Sequence, residues 1–244
     1  MTSRPSVAAF LLTLLLVVAP AAAQDVSEAR DLDAFAELVL QVPGDVELSQ
    51  GNEQRVRIEA DSQDILDRIK TVVRNGRLTI EADSENDRSI MDWLFGGDDV
   101  DGNLTFYITM TNVTALHIDG TGDIDGQTTL AGDGLSLRIN GTGDMDVDLD
   151  MNDVDTRING TGDVKLSGQT DTHSISSSGT GDVEAGDLVT RTTTVRVSGV
   201  GDCTVHATES LNARTSGVGD IRYYGSPSDL KVQSNGVGSV ESAN

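Results

Sequence analysis

Seven near-copies of one glycine phrase, each about one short coil from the next, dominate the second half of this sequence. They read IDGTGD at Ile118–Asp123, INGTGD at Ile139–Asp144 and Ile158–Asp163, and SSGTGD at Ser177–Asp182. VSGVGD at Val197–Asp202, TSGVGD at Thr215–Asp220 and SNGVGS at Ser234–Ser239 complete the series. The first glycines are Gly120, Gly141, Gly160, Gly179, Gly199, Gly217 and Gly236, spaced 21, 19, 19, 20, 18 and 19 residues apart. The second glycines are Gly122, Gly143, Gly162, Gly181, Gly201, Gly219 and Gly238. A period near 20 with no helical pattern specifies stacked coils. The expected fold is all-β: a right-handed parallel β-helix, or solenoid, with coils of about 18–21 residues and a less regular N-terminal half.

Alternation around each phrase assigns the inward side chains. Two residues before the first glycine lie Ile118, Ile139, Ile158, Ser177, Val197, Thr215 and Ser234; four before it lie Leu116, Leu137, Thr156, Ile175, Val195, Ala213 and Val232. Four after it lie Ile124, Met145, Val164, Val183, Cys203, Ile221 and Val240. These sets share one parity and form core ladders. The motif glycines fall in the same parity, which requires a tight bend or a close approach of backbones. Parity resets at Asn152-Asp153, as a corner demands. Outward columns carry Arg138, Arg157, Arg196 and Arg214, then Thr121, Thr142, Thr161 and Thr180 followed by Val200, Val218 and Val237. A third outward column holds Asp123, Asp144, Asp163, Asp182, Asp202 and Asp220.

Upstream, Leu38, Leu40, Val42, Val46 and Leu48 flank Gly44-Asp45 as a degenerate coil, and strands are expected around Val56–Ala60, Leu78–Ala82 and Leu104–Met110. Ser62 or Asp64 is placed to cap a short helix carrying Ile65, Leu66 and Ile69. Residues 1–23 read as a signal peptide: Arg4, the apolar run Val7–Val18, then Ala21-Ala22-Ala23 before Gln24. Residues 24–30 read as a linker and 31–244 as one solenoid domain, with an insertion at about 83–103. No later apolar run reaches the length of a membrane-spanning helix. The mature chain is therefore expected in the periplasm or outside the cell.

A net charge of −23 speaks against nucleic acid as a partner. The single cysteine, Cys203, permits no internal disulfide and fills a core ladder, so it reads as a small buried hydrophobe. His173 lacks partners at metal-ligand spacing and reads as a corner residue.

The leader, the Leu78-Thr79-Ile80 strand after Asn75-Gly76, and the serial I-N-G-T-G-D phrases together resemble the putative autotransporter adhesin, head GIN domain family, over about Phe35 to Val240. The resemblance implies a right-handed parallel β-helix-like fold in an exported bacterial protein, and brings no catalytic residues.

Six carboxylates in one column would repel by roughly 0.9 kcal/mol per neighbouring pair even in water, so something must offset them. Backbone N–H groups of each bend are the expected partners; a Ca²⁺ stripe along Asp123, Asp144, Asp163, Asp182, Asp202 and Asp220 is the alternative. The G-T-G-D phrase is no phosphate loop, because a strand rather than a helix follows it. No cofactor and no catalytic residue is expected. The leading reading is a non-enzymatic, adhesin-like or cell-envelope binding module whose partner is a surface glycan or protein, with self-association possible. The second is a carbohydrate-active β-helix enzyme acting on extracellular polysaccharide, which would need paired acids at one singular place. Candidate contact residues are Met91, Trp93, Leu94 and Phe95 in the insertion, and the Val200, Val218 and Val237 column.

Overall fold

The computed structural model describes residues 26–83 and 104–244. The leader at 1–23 and the insert residues Met91, Trp93, Leu94 and Phe95 lie outside the described residues. The elements are β1 (Val26–Arg30), β2 (Glu37–Leu40), β3 (Asp45–Gln50), β4 (Arg55–Ala60), α1 (Gln63–Leu66), β5 (Ile69–Arg74), β6 (Arg77–Ala82) and β7 (Leu104–Met110). There follow β8 (Ala115–Ile118), β9 (Ile124–Gly126), β10 (Leu130–Ile139), β11 (Met145–Ile158), β12 (Val164–Ser177) and β13 (Val183–Val197). β14 (Cys203–Thr215), β15 (Ile221–Tyr224), β16 (Asp229–Ser234) and β17 (Val240–Ser242) complete the chain.

Successive coils stack in parallel as a β-solenoid of about seven turns. One long face runs β5, β6, β2, β8, the later halves of β10 to β14, and β16. The opposite face runs β1, β4, β7, β3, β9, the first halves of β11 to β14, then β15 and β17. A Gly-x-Gly bend closes each coil, and its middle residue bridges to the next coil from Thr121 through to Val237. The other corner is a smooth arc: β11 continues through Asn152-Asp153, both exposed, while Met151 and Val154 are buried on either side. That doubled exposure is the expected parity reset.

The ladders assigned by alternation are buried through six coils, Leu116 to Ala213 and Ile118 to Thr215. They become more polar along the axis. Thr156 meets the His173 ring at 3.0 Å, Thr170 donates to the Asn152 carbonyl at 2.9 Å, and Thr190 donates to the His206 carbonyl at 2.7 Å. In the final coil Val232 and Ser234 are exposed.

The N-terminal half differs from the sequence reading in two places. Val26–Arg30, read as linker, is a strand paired antiparallel with β4; its half-exposed VSEAR sequence has no apolar stripe to announce it. Ile69, read as helical, begins β5, because Asn75 (φ 54°) and Gly76 (φ 76°) form a two-residue hairpin turn that pairs Ile69–Arg74 with Arg77–Ala82. The helix itself is only Gln63–Leu66, with Ser62 at its N-cap and no side-chain cap bond.

Candidate functional site

The glycine phrase is explained by contact between coils. A Cβ on Gly141, Gly160, Gly179, Gly199 or Gly217 would fall far inside contact distance of the first-glycine carbonyl oxygen one coil earlier. The second glycines meet the second-glycine carbonyl of the preceding coil, Gly44 in the case of Gly122, and also sit at φ of +137° to +152°, where side chains are strained. Close approach of backbones along the axis therefore fixes both positions.

The Asp column does specific work in the same step. Asp144 donates its backbone N–H to Oδ1 of Asp123 at 2.8 Å, and Asp163 to Asp144, Asp182 to Asp163 and Asp202 to Asp182 at 2.7 Å each. Asp220 bonds Asp202 and Ser239 bonds Asp220, both at 2.8 Å, while Asp45 starts the series by accepting from Asp123 at 3.1 Å. The N–H groups thus belong to the next coil rather than to the same bend, and each charge-assisted bond ties two coils together. Arg222 neutralises the lower end, 3.2 Å from both Asp202 and Asp220. The Ser239 N–H and hydroxyl hold the Asp220 carboxyl below the usual carboxylate range. Among the described residues no three His, Cys, Asp or Glu side chains are grouped to hold a metal ion.

Cys203 is buried, and burial pushes its thiol up to about 12. His173 is a buried corner residue whose Nδ1 has no partner among the described residues. Arg157 pairs with Asp155 at 2.9 Å on the solvated face. Val200, Val218 and Val237 stand exposed, flanked by Ser198 and Ser216, in a shallow trough along the bends.

One departure from the repeat was missed by sequence reading. Val183, Glu184 and Ala185 pair with Cys203, Thr204 and Val205, but the next pair is Val189 with His206. Gly186, Asp187 and Leu188 therefore bulge without partners in β14, which bends the strand and opens a recess of about 710 Å³ on an otherwise regular face. Leu188 is buried and anchors the bulge. The Tyr224 ring crosses from two coils away to lie over Gly186, where a Cβ would stand 3.1 Å from the ring. Its centroid is 6.2 Å from that of His206, tilted by 49°, and the tyrosine remains 40% exposed. Lys165, Glu184, Asp187, Thr204 and Asn244 are among the other lining residues. Lys165 is paired with Asp146 at 2.7 Å and also interacts electrostatically with the Glu184 and Asp187 carboxylates. An exposed ring beside two carboxylates is chemistry for holding a polyhydroxylated ligand.

The fold and these surfaces define a β-solenoid whose repeated acids serve the stacking and which carries an aromatic recess on one face. The chain belongs to the family described as "Putative auto-transporter adhesin, head GIN domain", matched over residues 34–227. A solved structure of a "putative adhesin" from Bacteroides fragilis is similar at 25% identity, covering 91% of this chain and 98% of that one, with a TM-score of 0.82. Two proteins of Parabacteroides distasonis share the fold. A "putative lipid binding protein" does so at 17% identity, over 89% of this chain and 96% of that one, with a TM-score of 0.61. A "putative adhesin" does so at 19% identity, over 89% of this chain and 97% of that one, with a TM-score of 0.60. No curated protein matches the chain.

Proposed function

We propose that the chain is an exported, non-enzymatic, adhesin-like binding module that holds a glycan in the Tyr224 recess. The observation that carries this reading is the bulge at Gly186–Leu188, where the repeat gives up regular pairing and an aromatic ring lies over the gap. Sugar C–H faces stack on such rings, and hydroxyls donate to carboxylates such as Glu184 and Asp187. Two carboxylates against the one lysine leave the recess net negative, so neutral or amino-sugar oligosaccharides are favoured over sulfated or uronic ones. Family membership supports a binding role, and the leader-like segment supports export.

An oligosaccharide array spanning neutral, amino and acidic glycans, run with and without EDTA, tests the proposal. Binding of neutral or amino sugars, insensitive to EDTA and lost in Tyr224→Ala and Gly186→Val, is expected. Glycan cleavage during the same incubations would instead establish the carbohydrate-active enzyme reading.

A further inference from the structure

We propose that the arginine column on the long face binds a carboxylated polysaccharide, a polyuronate laid along the solenoid axis. This site is independent of the Tyr224 recess, which lies on the opposite face. Two outward columns run side by side in register from β10 to β14. One holds Ser136, Asp155, Ser174, Thr194 and Asn212; the other, two residues further on, holds Arg138, Arg157, Ser176, Arg196 and Arg214. In one coil the pair closes on itself, since Arg157 holds the Asp155 carboxylate at 2.9 Å. In three others Ser136, Thr194 or Asn212 stands where Asp155 would be. Arg196 and Arg214 are exposed and have no hydrogen-bond or ion-pair partner among the described residues, and the Arg138 Nε is buried without one. A ligand carboxylate supplies in these coils what Asp155 supplies in its own.

Charge is sorted by face. The two columns carry four arginines against Asp155, whereas the opposite face of β11 to β13 carries Asp146, Asp148, Asp150, Glu184 and Asp187 against Lys165. Packed sheets stand about 10 Å apart and the screening length at physiological salt is about 8 Å, so the acidic face does not cancel the basic one. Each guanidinium is a planar fork that matches a carboxylate, and coils about 4.8 Å apart present such forks in sequence to a linear polymer. Hydroxyls extend the match. A recess of about 630 Å³ with Arg196 in its wall is also lined by Ser136, Thr172, Ser174, Thr192 and Thr194. Its two carboxylates are engaged, Asp155 by Arg157 and Asp153 by the Thr172 hydroxyl. Sugar hydroxyls find both donors and acceptors there. The exposed large apolar side chains lie elsewhere, at the bends, on the opposite face and in β16, which disfavours a protein partner anchored by apolar contacts.

Calorimetric titration of the full-length chain with polygalacturonate oligomers, in EDTA at about 0.15 M salt, tests this. Saturable binding is expected, with weaker binding of dextran sulfate and poly-L-glutamate and none of the fully methyl-esterified oligomer. Arg196→Gln combined with Arg214→Gln, both at exposed side chains, should keep the circular dichroism spectrum and weaken binding about tenfold or more. Thr194→Asp combined with Asn212→Asp gives each arginine an internal partner and should weaken binding as much. Asp155→Asn frees Arg157 and should strengthen it about threefold. Tyr224→Ala should bind as the wild type does. Absence of saturable binding, an affinity indifferent to both double variants, or loss of binding in Tyr224→Ala would overturn the proposal. Tighter binding of dextran sulfate or poly-L-glutamate would overturn it too, in favour of a sulfated glycan or an acidic protein.

Discussion

Asp163 donates its backbone N–H to the Oδ1 of Asp144, one coil away, at 2.7 Å. The carboxylate that would otherwise repel its neighbour becomes the clasp that holds that neighbour's backbone. Removing it leaves the N–H without its partner, a loss of about 1–3 kcal/mol for a bond to a charged acceptor. Asp144→Ala should therefore lower stability by that amount in denaturant titration. Asp144→Asn keeps an acceptor oxygen and should cost less than half as much. Calcium should leave the melting temperature of all three proteins unchanged.

Glycines in the phrase should tolerate nothing larger. Gly160→Ala places a methyl group against the Gly141 carbonyl, where relief requires the coils to separate. A loss of about 2 kcal/mol or more is expected. Gly134→Ala is the control. Its Cβ would meet only the Asp153 carbonyl, at 3.8 Å, and its φ is ordinary, so stability should change by less than about 0.5 kcal/mol. Equal melting temperatures for the two variants would contradict the stacking explanation.

His173 makes the fold acid-sensitive. Burial lowers its pKa from 6.5 to about 3, so the folded state keeps the ring neutral where the unfolded chain takes up a proton. Stability from this group is complete above pH 6.5 and falls as pH drops toward about 3, with a limiting slope of about 1.4 kcal/mol per unit. Between pH 7 and pH 5 the loss should be about 2 kcal/mol. His173→Leu, an apolar residue in the column of Val154 and Leu211, should flatten that segment of the pH profile. A wild-type profile flat from pH 7 to 5 would show that the ring is hydrated.

Cys203 lies in the ladder between Val183 and Ile221, with its thiol pushed up to about 12. A thiol reagent at pH 8 should label it only as fast as the protein unfolds. Rapid labelling of folded protein would place the sulfur outside the core.

The solenoid was legible because its signal is periodic: Ile118 to Thr215 and Ile124 to Ile221 name the core before any coordinates exist. The purpose of the Asp column was legible only in part. Sequence shows that Asp144 needs a donor, but which coil supplies it depends on stacking register. The N-terminal closure was obscured by polar strands such as Val26–Arg30 and by reading Ile69 as helical despite the Asn75-Gly76 hairpin signal. The recess was hidden by partial compensation. β13 carries three residues that β14 does not match, β14 returns one between Ala207 and Ser210, and the remaining difference of two, 20 against 18 residues between phrases, lies within the spread of the other spacings. Only the pairing of Val189 with His206 exposes it.

In the function we propose, the repeat is scaffold and the recess is the contact. Titration calorimetry of the best oligosaccharide from the array against wild type, Tyr224→Ala and Asp163→Asn tests it most directly. Wild type and Asp163→Asn should bind with equal affinity, and Tyr224→Ala at least about tenfold more weakly at unchanged melting temperature. Full affinity in Tyr224→Ala, or binding lost in Asp163→Asn while the fold is intact, would contradict it.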